Sequence, residues 1–119
     1  APGKWTVKEV IQHIIDMERV FAYRALTIAR GDQQALPGAD HDLFYLHQRS
    51  NARPFDDLKE EFTAMRYDHN ILFRSFDGEA LAATGSVLGN LTTCKSWIYA
   101  SYGHGLHHVG ILKDRYNIK

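Results

Sequence analysis

Cysteine is almost absent from this sequence. Cys94 is the only one, so no internal disulfide can form, and the chain suits a reducing cytoplasm. Long apolar runs are missing too, since none approaches the ~20 residues that a membrane-spanning helix needs. There is no excess of either charge: Lys plus Arg and Asp plus Glu each number 14. No global field therefore recruits nucleic acid, an anionic membrane surface or a charged substrate. The first residues do not read as a secretory signal. No glycine-rich phosphate loop follows a strand, and no aromatics interleave with a basic stripe. These absences lead us to expect a cytoplasmic protein with neither nucleic acid nor membrane as partner.

What is present is helical periodicity. The 119 residues make one domain, 1–119, with room for a single core. Thr6 and Glu9 have the spacing of a capping box. From there Val7, Val10, Ile14, Met17, Phe21, Ala25 and Ile28 step by 3 and 4, which predicts a helix over 6–30 that Gly31 stops. Residues 31–53 carry Pro37, Gly38, Asp40 and Asp42, a long connection with a short helix expected over 42–48. After Pro54 a seam of Phe55, Leu58, Phe62, Met65, His69, Leu72 and Phe76 predicts a second long helix over 54–76. A short turn near 79–83 and a small hairpin near 84–91 follow. Thr92 or Thr93 then caps a last helix over 93–116. Within it Gly103, Gly105 and Gly110 each cost up to ~1 kcal/mol relative to Ala. They are tolerated if a helix or ligand comes close, and a break at Gly103 is the competing expectation. The class is all-α, an up-down helical bundle. Three long helices leave one seam open, for a further helix or a partner chain.

Three of the seven histidines fall between positions 104 and 108. His104 and His108 are four apart, one above the other on one helix face, and such a pair can grip one transition metal. His13 sits on the edge of the first helix's apolar arc, from which a side chain reaches across a bundle groove. His13, His104 and His108 are therefore the candidate metal ligands, three imidazoles with an open coordination position. That pattern belongs to catalytic rather than structural zinc sites, and it also suits nickel, iron or cobalt. The competing reading is a set of half-buried helix histidines bonded to backbone or water. His107 points about 60° further toward solvent and is a marginal ligand.

Other residues attract weaker expectations. Asp16, one turn beyond His13, can orient a ligand or carry protons, or can be a plain exposed carboxylate. His69 can face the site as a proton carrier or serve as a satisfied core histidine. His41 and His47 belong by default on the surface. Cys94 reads as a small buried hydrophobe rather than an activated thiol. Glu18, Arg19, Arg24 and Arg30 read as an ordinary solvated charged face. Phe44, Tyr45, Trp97 and His69 are candidate pocket walls.

The order of these pieces resembles the DinB/YfiT-like family of metalloenzymes. The matching stretches are Pro2-Gly3-Lys4-Trp5-Thr6-Val7-Lys8-Glu9-Val10, Gln12-His13-Ile14-Ile15-Asp16 and Glu18 through Arg24. Ile28 through Gly31, Leu36-Pro37-Gly38 and the closing His104-Gly105-Leu106-His107-His108 follow. The resemblance implies a four-helix bundle whose divalent metal, zinc or nickel, is held by His13, His104 and His108. It also implies a small-molecule substrate, a low-molecular-weight thiol among the candidates, and a homodimer. Metal-dependent transferase (thiol S-transferase) or hydrolase activity is the expectation. A non-catalytic, stress-related metal-binding or dimerisation module is the alternative. Two departures stand out. A glutamate common in the family after the first closing histidine is here Gly105, and the family's first helix, of about thirty residues, is absent before Pro2. The chain is thus expected to be a truncated or partly ordered member.

Overall fold

Thr6 opens the first helix as the sequence predicts. Its hydroxyl accepts from Glu9 N at 3.2 Å while Glu9 Oε1 accepts from Thr6 N at 2.8 Å, so two donors at the helix start are satisfied reciprocally. The computed structural model describes residues 5–116, with side chains to 113. The lead-in Pro2, Gly3 and Lys4 lies outside them. Helix α1 runs Val7–Ala29 and ends in a Schellman motif. Gly31 N donates to Ile28 O and Asp32 N to Thr27 O, both at 3.0 Å, with Gly31 at φ +81°.

Helix α2, His41–His47, is capped by Asp40, whose side chain accepts from Asp42 N and Leu43 N. A one-turn 3₁₀ helix at Ser50–Ala52 leads into α3, Phe55–Arg74. Helix α4 covers Gly78–Ala82, and strands β1 (Thr84–Val87) and β2 (Asn90–Thr93) form an antiparallel hairpin with Thr84 opposite Thr93. Its two-residue turn, Leu88-Gly89, has positive φ at both positions, the geometry that matches strand twist. The hairpin also fixes the long connection: Leu36 N donates to Ser86 O and Leu88 N to Leu36 O. Helix α5, Cys94–Tyr116, is continuous through Gly103. Thr93 caps it, its hydroxyl accepting from Ser96 N at 3.1 Å.

Helix α1 is the central element. It packs along α5 and, over a shorter length, against α3. At the hairpin end Ala22, Ala25 and Ile28 meet Phe73, Phe76, Val87 and Cys94. Ile15 and Leu58, both fully buried, seal α1 onto α3, each contributing about 1.5–3 kcal/mol of hydrophobic stabilisation. At the other end Val10 and Ile14 pack on Leu112. Helices α3 and α5 meet through scattered side chains, such as Tyr102 with Asn70 and Phe73. An apolar groove of about 320 Å³ lies open beside them, with Phe62, Val109 and Leu112 in its walls.

Two expectations need correction. Glu18 and Arg24 do not belong to a solvated face, because they are only 1 % and 6 % exposed. The stripe explains why: Ile15, Ala22 and Ala25 lie three, four and seven residues from Glu18, and all three are buried. The second concerns the glycines of α5. A Cβ on Gly103 or Gly110 would meet nothing within 4 Å, whereas one on Gly105 would lie 3.3 Å from Arg66 Nη2. Close approach therefore accounts for Gly105 alone.

Candidate metal centre

The packing of α1 on α5 brings His13 against His104 and His108, about ninety residues further along the sequence. Each of His13, His104 and His108 offers one ring nitrogen, and the three nitrogens all lie within 4.8 Å of one another. The ring centroids are 4.9 Å apart for His13–His104, 4.8 Å for His13–His108 and 4.4 Å for His104–His108. His13 is buried and the α5 pair half-buried.

Burial first, and then the neighbouring His104, His108 and His41, together lower the His13 pKa to about 4. His104 is likewise lowered to about 4, by burial first and then by His108, His107 and His41. His108 is lowered by burial and by His107. All three are therefore neutral at pH 7, the form in which imidazole ligates metal. No hydrogen bond ties any of them to another described group, so their lone pairs are not committed elsewhere.

This donor set fits a divalent cation. A tetrahedral ion bonded at ~2.1 Å would hold the nitrogens about 3.4 Å apart, a contraction that side-chain rotation can take up. Aromatic rings wall the cluster. Trp5 sets its edge against His13 at 5.1 Å and stacks on Tyr45 at 4.6 Å. Phe21 stands T-shaped to His104 at 5.5 Å and stacks on Trp97 at 5.6 Å.

The structure sorts the weaker candidates. His107 is exposed, as its helix angle implies. His41 is exposed too, but its ring lies 6.2 Å from His13. The spacing of residues could not reveal this, because an irregular connection carries no period. Asp16 is half-buried and accepts from Gln12 Nε2 at 2.9 Å, and burial raises its pKa. Together with Phe44, Arg19 and Arg24 it lines a cavity of about 500 Å³ beside α1. Phe44 thus lines a cavity, while Tyr45 and Trp97 join the aromatic surround of the histidines. His69 does neither, which corrects its expected places as proton carrier and pocket wall; it is the satisfied core histidine of the other expectation. Its Nδ1 faces Glu18 Oε2 at 2.9 Å, and Arg66 Nη2 donates to Oε1 of the same carboxylate at 2.5 Å. Cys94 is fully buried, and burial raises its thiol pKa.

Fold and cluster together define an all-helical bundle, apart from one hairpin, with a three-imidazole group able to hold a metal ion. The sequence model of the DinB superfamily matches residues 1–112, and the chain belongs to that superfamily. Among solved structures, YfiT from Bacillus subtilis superposes with a TM-score of 0.77 at 15 % identity, covering 100 % of this chain and 71 % of its own. YfiT is described as a probable metal-dependent hydrolase with an unusual four-helix bundle topology. At that identity the likeness establishes the fold. No protein of curated function matches.

Proposed function

We propose that this DinB-superfamily protein is a metal-dependent enzyme acting on a small molecule, with His13, His104 and His108 as ligands to zinc or nickel. The observation that carries the reading is the convergence of three neutral, uncommitted imidazoles on one point. Hydrolysis is the first reaction proposed, in keeping with what YfiT is described to be. Transfer to a low-molecular-weight thiol is the second, since the same Lewis-acid centre activates either nucleophile. When bound, a divalent cation supplies that Lewis acidity, polarising an oxygen or sulfur donor and bringing its pKa toward neutrality.

The chain's own residues do the rest. His13 holds its place because Trp5 and the α1–α5 packing fix its ring. Phe21, Trp97, Trp5 and Tyr45 exclude water from the flanks of the cluster and strengthen electrostatic interactions there. Asp16 is the nearest cavity carboxylate along α1, one turn from His13. With its pKa raised by burial, it is placed to take and return a proton.

The test is turnover by metal-loaded protein on a panel of activated esters and amides, repeated with small thiols and an electrophilic acceptor. Activity should vanish in His108→Ala and fall by about 10²-fold in Asp16→Asn, the scale of a lost general base. Full activity in His108→Ala would refute the assignment. Metal binding without turnover on any substrate would favour the non-catalytic module.

A further inference from the structure

We infer that the cavity beside α1 binds an anionic group, a carboxylate or phosphate-type oxyanion, through Arg24. The side chain is nearly buried, with the residue 6 % exposed, yet no carboxylate pairs with it among the described residues. Its one hydrogen bond is a long one, from Nη2 to Pro37 O at 3.3 Å, which leaves most of the guanidinium's five donors without a protein acceptor. A buried charge is ordinarily paired. What holds this one in place is aromatic: Arg24 Cζ lies 4.6 Å from the Trp97 ring centroid and 5.9 Å from that of Phe21. Rings fix the plane of a guanidinium while leaving its donor edge open, which is how arginine presents itself to planar oxyanions.

The surroundings favour a ligand over a purely structural role. Arg24 lines the cavity of about 500 Å³ together with Val20, Leu36, Pro37 and Phe44, an apolar wall. The other cation there, Arg19, is already paired with Glu61. The carboxylate there, Asp16, stands eight residues from Arg24 on the same helix, about 12 Å along its axis. An anion is thus repelled from the Asp16 end and drawn to the Arg24 end. Arg24 also lies close to the histidines. Phe21, 5.9 Å from the guanidinium, is 5.5 Å from the His104 ring, so the separation is at most the sum of those two steps. That the bound anion is one end of the substrate rests on the metal-enzyme reading above. The substrate class is then a small molecule with an anionic end, an apolar middle and its reactive bond toward the histidines.

The experiment titrates hexanoate, hexylphosphonate and uncharged hexanamide into the protein, following binding by calorimetry. It is run on metal-free protein, on zinc-loaded protein and on Arg24→Met and Arg24→Lys. At least one anion should bind ten-fold or more tightly than hexanamide, with or without zinc. Arg24→Met should abolish the preference and Arg24→Lys should keep part of it. A stronger response to hexanoate or to hexylphosphonate tells the carboxylate class from the phosphate class. Equal binding of all three probes to wild-type protein would overturn the inference even if Arg24→Met failed to fold. So would an anion preference that needs zinc and survives in Arg24→Met, because the anion would then sit on the metal. A preference that persists in protein unable to bind zinc would uphold the anion site while the metal reading failed.

Discussion

Two buried polar groups in this bundle, one around Glu18 with His69 and one of three histidines, are built on opposite plans. Around Glu18 every charge has its partner. Arg66 and His69 close on one carboxylate that is 1 % exposed, with Arg66 also lying over the Phe62 and Tyr102 rings. Burial alone would raise the Glu18 pKa, but the bonds from His69 and Arg66 outweigh it and hold the carboxyl below its usual range. Around His13, His104 and His108 nothing is paired. Among the described residues no carboxylate is bonded to them, the rings lower one another's affinity for protons, and two are held near pKa 4. The first arrangement is what a chain does to tolerate buried charge. The second is the arrangement that the proposed metal ion would complete. The pattern of satisfaction thus separates a bonded histidine, His69, from the three proposed as ligands.

The largest expected effect breaks the satisfied cluster. Glu18→Ala leaves Arg66 and His69 facing an apolar hole. Because Arg66 keeps a quarter of its side chain exposed, the cost should sit at the low end of the buried-pair range, about 3 kcal/mol. Thermal unfolding will read it, and metal content should not change. The next effect concerns the unsatisfied cluster. Metal at a hundred times its Kd should stabilise wild-type protein by about 2.7 kcal/mol and His108→Ala not at all. Without metal, His108→Ala should stay within about 1 kcal/mol of wild type.

Acid distinguishes the clusters by pH window. A histidine at pKa 6.5 unfolded and about 4 folded binds more protons in the unfolded state between those values. Metal-free protein should therefore lose stability as pH falls from about 6.5 toward 4. Glu18, lowered when folded, contributes stability above its unfolded value of 4.5 that is lost only as pH falls below it. Chemical unfolding across pH 7 to 3 should show the first loss shrinking in His13→Ala and the second shrinking in Glu18→Gln. The smallest effect serves as a control. Gly103→Ala, with open space at its Cβ, should stabilise α5 by up to ~1 kcal/mol and leave metal binding alone. Gly105→Ala should gain less, because Arg66 must yield.

The helices and the histidine trio were legible in the sequence, because both rest on periodicity. Steps of 3 and 4 from Val7 to Ile28 mark a helix, and the same arithmetic puts His104 over His108 and His13 at a groove edge. Glu18 and Arg24 were misread although the signal was there. Each lies on the buried stripe, Glu18 among Ile15, Ala22 and Ala25, and Arg24 between Phe21 and Ile28. The approach of His41 to His13, the parallel pairing of Leu36 with Val87 and the cavity that Leu36 lines were not legible. They arise where an irregular connection folds back on the bundle, and such contacts leave no local pattern.

The central claim is that the unpaired trio exists to hold one divalent ion. The direct measurement is metal content per chain of untagged protein, after equilibration with zinc or nickel and removal of excess, for wild type and single His→Ala variants. The account predicts about one ion per chain in wild type, retained in His69→Ala and His107→Ala and lost in His13→Ala, His104→Ala and His108→Ala. Wild-type protein that comes through metal-free, or variants of the trio that keep the full ion, would contradict it.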